Sequence, residues 1–203
     1  MGSEELKAQI LKVARKHFAL HGYQGASLKE IAKESGVASS LINYHFTDKD
    51  GLFNQSLENI AIARMEGINR ILGEPKSAED MRVRLELFVE EMIVSVMDDP
   101  ESFQIIDREM KSANPLVFKL FENTMLKGFK NVVEFFRQAQ ANGLIRDNFD
   151  PFILASLLFT ATCDSGRKDH LAKAFFNVSF AEADWRKKFT HNLVNLFLSG
   201  VMK

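Results

Sequence analysis

The sequence predicts an all-α protein, with an N-terminal three-helix helix-turn-helix domain followed by a helical bundle, about nine helices in all. Three observations lead there. Apolar residues recur at steps of three and four in almost every segment, and no stretch alternates as a strand does. Helix start and stop signals recur along the chain at Ser77, Asp99-Pro100, Asn114-Pro115, Gly143 and Asp150-Pro151. Residues 27–49, SLKEIAKESGVASSLINYHFTDK, read as two short helices about a glycine turn.

Taken in order, the first helix spans Ser3 to His21 and buries Ile10, Ala14 and Phe18. Ser27 and Glu30 have the spacing of a capping box, which starts a second helix running to about Ser35. Gly36 supplies the backbone freedom to turn, and Val37 plugs the corner. A third helix follows from Ala38 to Phe46. Leu28, Ile31 and Ala32 pack against Ile42 and Phe46, so Ser39, Ser40, Asn43 and Tyr44 fall on the opposite side. Small hydroxyls and an amide can approach base edges, while Tyr44 and Lys49 can reach phosphate oxygens. The plain alternative is the solvated side of an ordinary helical hairpin.

A fourth helix is expected from Thr47 to Leu72, with Phe53, Leu57, Ile60 and Ile68 inward, ending before Gly73-Glu74-Pro75. Ser77 caps a fifth, with Met81, Leu85, Phe88, Met92 and Val96 in line; Pro100 opens a sixth that reaches Lys111. Asn114-Pro115 opens a long seventh helix that Gly143 ends, its stripe being Phe121, Met125, Phe129, Val132, Phe136 and Ala139. Asp150-Pro151 opens an eighth, which Asp164-Ser165-Gly166 breaks or kinks. After a variable connector the last helix runs from Ala181 to Val201. Its apolar face is Trp185, Phe189, Leu193, Leu196 and Phe197, widened by Val194, Leu198 and Val201.

Composition narrows the function classes. The chain has 203 residues, 46% hydrophobic and 26% charged, enough to bury a core and too apolar for a disordered chain. Its net charge is −1, and the first 54 residues hold seven Lys and Arg against six Asp and Glu, so sequence-blind attraction to phosphate is modest. Cys163, the single cysteine, excludes an intrachain disulfide and reads as a small core residue. No run approaches the ~18 apolar residues of a membrane span, and the N-terminus lacks a signal-peptide core. A cytoplasmic protein is therefore expected. His17 and His21 lie four apart, a spacing that grips a metal less often than it forms a surface pair. No metallohydrolase, nucleophile-elbow or phosphate-loop motif is present, so no enzyme, cofactor or metal site is expected.

The stretch GVASSLINYHFTDKDGLF resembles the signature of the tetracycline-repressor (TetR) family of bacterial transcriptional regulators. Gly36 and Val37 match its turn, Tyr44, His45 and Phe46 its aromatic-His-Phe cluster, and Lys49 the lysine just beyond. Phe18, Gly22-Tyr23 and the serine-headed second helix extend the match over about residues 6–53. Two residues depart from the pattern. Leu41 stands where a small or hydroxylated residue is common, and either touches a thymine methyl or packs; Asn43 replaces an aromatic, and its amide suits adenine.

The resemblance implies a DNA-binding domain over residues 1–50 and an effector-binding and dimerisation domain over 51–203, linked by the helix at 47–72. It implies a homodimer on a near-palindromic operator, with Ser27, Ser39, Ser40, Leu41, Asn43, Tyr44, His45 and Lys49 at the DNA. An effector pocket for an apolar or aromatic small molecule is expected among Phe103, Asp107, Phe121, Met125, Phe129, Phe159 and Thr162. The subunit interface is expected to use Phe152, Leu157, Trp185, Phe189, Leu193, Leu196 and Phe197. A helical ligand-binding or protein-interaction module that does not bind DNA is the remaining alternative.

Overall fold

The computed structural model describes residues 2–202 apart from Thr124, and their side chains except at residues 59–66, 68, 69, 123 and 125. The described residues form eleven helical segments: α1 (Ser3–Gly25), α2 (Leu28–Glu34), α3 (Ser39–Phe46), α4 (Lys49–Ile71), α5 (Ala78–Asp98), α6 (Pro100–Lys111), α7 (Pro115–Asn123), α8 (Met125–Ala141), α9 (Pro151–Arg167), α10 (Asp169–Phe176) and α11 (Ala183–Val201). No strand occurs among them; one isolated antiparallel bridge joins Ile145 to Met202. The all-α reading holds. By contacts the chain forms two units, residues 1–63 with 100–125, and residues 64–99 with 126–203. This grouping by packing is a separate matter from the division by function expected at residue 50.

In the first unit, Ile10, Ala14 and Phe18 of α1 pack with Ile31, Ile42, Phe46, Leu52, Phe53 and Leu57. Ile105 of α6 and Val117 and Leu120 of α7 belong to the same core. The Phe18 ring meets Phe53 edge-on at 4.9 Å, and Tyr23 meets Phe53 in the same way at 5.1 Å. α1 does not simply stop at His21. Gly22 takes φ 70° and ψ 173°, and a further turn reaches Gly25.

The turn between α2 and α3 forms as expected. Gly36 has φ +69°, its amide reaches the Lys33 carbonyl at 3.2 Å, and the Val37 amide reaches Ala32 at 3.0 Å, which satisfies the last carbonyls of α2. The capping box does not. Ser27 occupies the cap position, but its hydroxyl makes no capping bond, and the first turn is closed by the Ile31 amide on the Ser27 carbonyl at 3.0 Å. The burial of Ile31 and Ala32, rather than a cap, anchors this helix.

The fourth helix starts at Lys49, not at Thr47. Thr47 has φ 71° and ψ −58°, and the Asp48 amide bonds the Phe46 carbonyl at 2.8 Å, the geometry of a γ-turn. Asp48 then heads α4, accepting the Gly51 amide on its carboxylate at 2.8 Å and the Leu52 amide on its carbonyl at 3.1 Å. Ile60 and Ile68, expected inward on this helix, lie outside the residues whose side chains are described.

In the second unit, Met81, Leu85, Phe88, Met92 and Val96 of α5 are buried, with Leu154, Ala155 and Leu158 of α9 and Val194, Leu198 and Val201 of α11. Ser77 caps α5 by accepting the Asp80 amide, and Asp150 caps α9 by accepting those of Phe152 and Ile153. Two expectations change here. The helix after Asp150 continues through Asp164-Ser165-Gly166 to Arg167, because Asp164 pairs with Lys168 one turn on, the Ser165 hydroxyl bonds the Ala161 carbonyl, and Gly166 fits against Val96. The connector holds α10, which buries no side chain and so leaves little apolar pattern to read. The long seventh helix is described as α7 and α8, on either side of Thr124.

Gly51 fixes how α3 meets α4. A Cβ added there lies 2.0 Å from the Phe46 carbonyl oxygen, a backbone atom that cannot swing aside. Gly51→Ala is expected to cost about 2–3 kcal/mol through overpacking. Urea unfolding followed by Phe and Tyr environment should show it, and wild-type stability in this variant contradicts the packing described.

Candidate nucleic-acid interface

α3 is amphipathic at the scale of two turns. Ile42 and Phe46 are buried in the N-terminal core, and Ser39, Ser40, Asn43 and Tyr44 are exposed, Tyr44 at 81%. Two hydroxyls, one amide and one phenol thus share an outward surface with no charged group among them. Leu41 and His45 are half-buried at its margins. The His45 ring stands between its neighbours, 5.2 Å from Tyr44 and 6.1 Å from Phe46, so it can orient Tyr44 as well as donate outward. Ser27, at the head of α2, is half-buried.

Lys49 is held more firmly than the sequence indicates. Its ammonium donates to the Gln24 carbonyl at 3.2 Å and lies 4.8 Å from the centre of the Tyr23 ring. An ammonium has three donors, so contact with a phosphate stays open to it. Tyr23 was legible only as part of the Gly22-Tyr23 pair, yet it carries much of the local structure. Its hydroxyl bonds the Asp50 carboxylate, its ring packs on Phe53, and its amide donates to Glu109 at 2.8 Å. Burial first, and then the bond to Asp50, push the Tyr23 phenol up to about 12. Arg15 adds a tie between α1 and α4 by donating to the Ser56 carbonyl at 3.3 Å.

The residues expected at an effector pocket are spread over both units. Phe103, Asp107 and Phe121 belong to the first, and Phe129, Phe159 and Thr162 to the second. Met125 lies outside the residues whose side chains are described. Phe129 and Phe159 meet edge-on at 5.9 Å, and Phe129 meets Phe152 at 5.6 Å. Thr162 is buried, its hydroxyl donated to the Leu158 carbonyl at 2.7 Å, and Asp107 pairs with Lys111 at 2.8 Å on the surface. An open cleft of about 270 Å³ in the first unit is lined by Asn54, Glu58, Leu116, Lys119 and Leu120, none of them among the expected pocket residues.

The expected interface residues divide by exposure. Phe152 and Leu157 of α9 are each 59% exposed and Leu196 of α11 is 76% exposed, whereas Trp185, Phe189, Leu193 and Phe197 are half-buried. Phe189 packs edge-on with Phe180 at 4.8 Å, and Phe197 lies against Phe136 at 5.7 Å. On α11 the core side is Thr190, Val194, Leu198 and Val201, so the residues expected merely to widen the apolar face are its buried seam. Cys163 is buried and forms no disulfide. His17 bonds Glu34 at 2.8 Å, and among the described residues no group of three or more His, Cys, Asp or Glu is placed to hold a metal. No described helix is long and apolar enough to cross a membrane.

The α1 to α4 arrangement is that of a helix-turn-helix domain, with α3 as its outward-facing second helix. Comparison with known proteins agrees. Residues 10–55 match the model of the bacterial regulatory proteins of the tetR family. The chain is 34% identical over 91 residues to the HTH-type transcriptional repressor AcnR of Corynebacterium glutamicum, covering 40% of this chain and 48% of that protein. It is 37% identical over 79 residues to the HTH-type transcriptional regulator AcrR of Shigella flexneri, covering 37% of each. The chain thus spans less than half the length of these curated relatives. Over the whole fold it is similar to the ketosteroid transcriptional regulator KstR2 of Mycobacterium tuberculosis, with a TM-score of 0.74 at 16% identity over 100% of this chain and 97% of that one. The fatty acid degradation regulator FadR of Bacillus halodurans gives a TM-score of 0.73 at 16% identity, over 98% and 97%. Residues 10–55 thus carry a helix-turn-helix domain like that of the TetR family, and the whole chain shares the fold of these solved regulators.

The raised Tyr23 phenol has a consequence for stability. A phenol whose folded-state value lies above the ordinary value of about 10 favours folding below that pH, and the contribution is lost as pH rises towards 12. Unfolding free energy should therefore fall more steeply between pH 10 and 12 in the wild type than in Tyr23→Phe. Phenolate absorbance should show a late step that the variant lacks; equal profiles contradict the Tyr23–Asp50 contact.

Proposed function

We propose that this chain is a ligand-responsive transcriptional regulator, acting as a repressor in the cytoplasm, that binds a near-palindromic DNA operator as a homodimer. The observation that carries the reading is the division of α3, with Ile42 and Phe46 in the core and Ser39, Ser40, Asn43 and Tyr44 turned out. A helix of this diameter fits the major groove, and an amide there can pair with adenine through two hydrogen bonds. In this reading Ser39, Ser40 and Asn43 read bases, with Leu41 against a thymine methyl. Tyr44, His45, Lys49 and Ser27 meet the backbone, which fixes register without reading sequence.

Two-fold symmetry of the dimer then sets half-sites about one helical turn, or a multiple of it, apart. The exposed apolar groups Phe152, Leu157 and Leu196 support an interface made by α9 and α11, since apolar side chains left this open on one protomer favour a covering partner. The effector is proposed to be a small apolar or aromatic molecule held by the bundle near Phe129 and Phe159, with residues 1–50 as the reading head and 51–203 as the sensor. Its binding acts on DNA affinity only to the extent that it prefers one arrangement of the two recognition helices.

Asn43→Ala is expected to cost about 1–3 kcal/mol at one base pair of the operator and little on scrambled DNA. Fluorescence anisotropy with duplexes from the region upstream of the chain's own gene measures both. Equal losses on cognate and scrambled duplexes remove Asn43 from base reading, and no shift with any duplex favours the helical module that binds protein or ligand alone.

Leu157→Glu places a carboxylate in the proposed dimer interface and is expected to halve the mass seen by sedimentation at micromolar concentration. Operator affinity should fall with it, because each subunit then binds one half-site. A variant that remains dimeric and tight excludes α9 from the interface.

A further inference from the structure

We infer that Glu109 is a positioning residue for the DNA-binding face, gripping Tyr23 and, through it, the first turn of α4 from which α3 hangs. Glu109 lies on α6, far along the chain from the helix-turn-helix, and is only 5% exposed. Its Oε1 accepts the Tyr23 amide at 2.8 Å, and its Oε2 accepts Asn114 Nδ2 at 2.8 Å. A carboxylate this buried is tolerated only where donors reach it, so the two bonds and the burial require each other.

Both ends of the grip are shaped to receive it. On α1, Gly22 at φ +70° frees the Tyr23 amide from the helix ladder, and a Cβ at Gly22 lies 3.2 Å from Glu109 Oε1 and 3.3 Å from the Arg108 side chain. On the other side, the turn just past α6 has Ala113 at φ 55°, the Asn114 amide returning to the Glu109 carbonyl at 3.0 Å. That turn carries the Asn114 side chain back over Glu109, while its Oδ1 accepts the Leu116 amide at 3.0 Å and heads α7. Two departures from ordinary helical backbone thus converge on one carboxylate.

From Tyr23 the contacts run onward without a gap. Its hydroxyl holds Asp50, its ring lies under the Lys49 ammonium, and it packs on Phe53. These three residues are the first and second turns of α4. Gly51 in the same turn abuts the Phe46 carbonyl, the last residue of α3. Displacement of the α6–α7 turn is therefore carried to the recognition helix through Glu109 and Tyr23. The functional meaning of this coupling rests on the DNA-binding reading above; its existence does not.

Hydrogen exchange on the free full-length protein tests the coupling without DNA. In Glu109→Gln the amide cannot accept from both Tyr23 and Asn114, since one of its ends is a donor. Exchange at the Tyr23 amide and at the Gly51 and Leu52 amides is expected to quicken about tenfold, with α5, α9 and α11 unchanged. Asn114→Ser is the milder variant: serine still heads α7 but no longer holds Glu109, and the same amides should quicken by a smaller factor. A local cap with no further reach gives a different pattern, faster exchange at Tyr23 and in α7 with Gly51 and Leu52 as in the wild type, and this overturns the inference. If Glu109→Gln loosens the whole protein, Asn114→Ser alone decides between the two patterns. Operator affinity measured beside it should fall about tenfold for Glu109→Gln. A wild-type protein that binds no duplex sinks the DNA-binding reading while the exchange pattern still reports on the coupling.

Discussion

The burial of Ile42 and Phe46 is the constraint on which the rest depends. α3 has eight residues, and helices shorter than about 12–15 residues are marginal in water on their own. What holds it is its seat in the core with Phe18, Ile31 and Phe53. The same seat decides which side chains face out, because residues three and four apart share a side of a helix. Its far end is equally confined. The γ-turn at Thr47 puts a β-branched residue at positive φ, a conformation costing roughly 1–3 kcal/mol that survives only when its surroundings hold it. Gly51 against the Phe46 carbonyl is that surrounding.

Much of this was legible in the sequence because it follows from local rules. A glycine between two short apolar patterns reads as a turn, and Gly36 makes it with the expected bonds. Pro and Asp or Ser at helix starts read correctly at Pro100, Ser77 and Asp150. Several failures trace to contacts between residues distant in sequence. Gly166 reads as a breaker, but Val96 of α5 leaves room there for nothing larger without adjustment, so packing keeps the helix whole. The buried seam of α11 could not be told from its outer apolar side, since Val194 and Leu196 are equally apolar and only the neighbours of each distinguish them. Glu109 offers no signal at all. Its donors sit 86 residues away at Tyr23 and only three and five away at Ser112 and Asn114.

The second unit makes a similar point about apolar surface. α9 carries Leu154, Ala155 and Leu158 inward and Phe152, Ile153 and Leu157 outward, so it has no polar side of ordinary extent. A helix with apolar groups all round is stable in water only when something covers both sides. In the proposed homodimer a symmetric partner presents the same surface in return. Apolar burial of this kind is not directional, so it favours association without fixing the angle between subunits. Within its own chain Phe152 is seated edge-on against Phe129, which fixes where that ring stands on the exposed side of α9.

Charge gives the last step. With a net charge of −1, and a nearly even balance over its first 54 residues, the chain gains little from general attraction to phosphate. In the proposed DNA-binding reading, affinity must then come from a few directed bonds, and these are sensitive to position, because N–H···O bonds form at about 2.7–3.2 Å and weaken steeply once the angle falls below about 120°. On that reading small shifts of α3 alter binding more than they would in a strongly basic protein, whose attraction is long-ranged and insensitive to an ångström. A system of that kind needs its recognition helix held from several sides. Ile42 and Phe46 hold it from beneath, Gly51 from its end, and Tyr23 ties that end to α6 through one buried carboxylate. Near-neutrality and tight bracing are in this sense one design, since the first makes the second necessary.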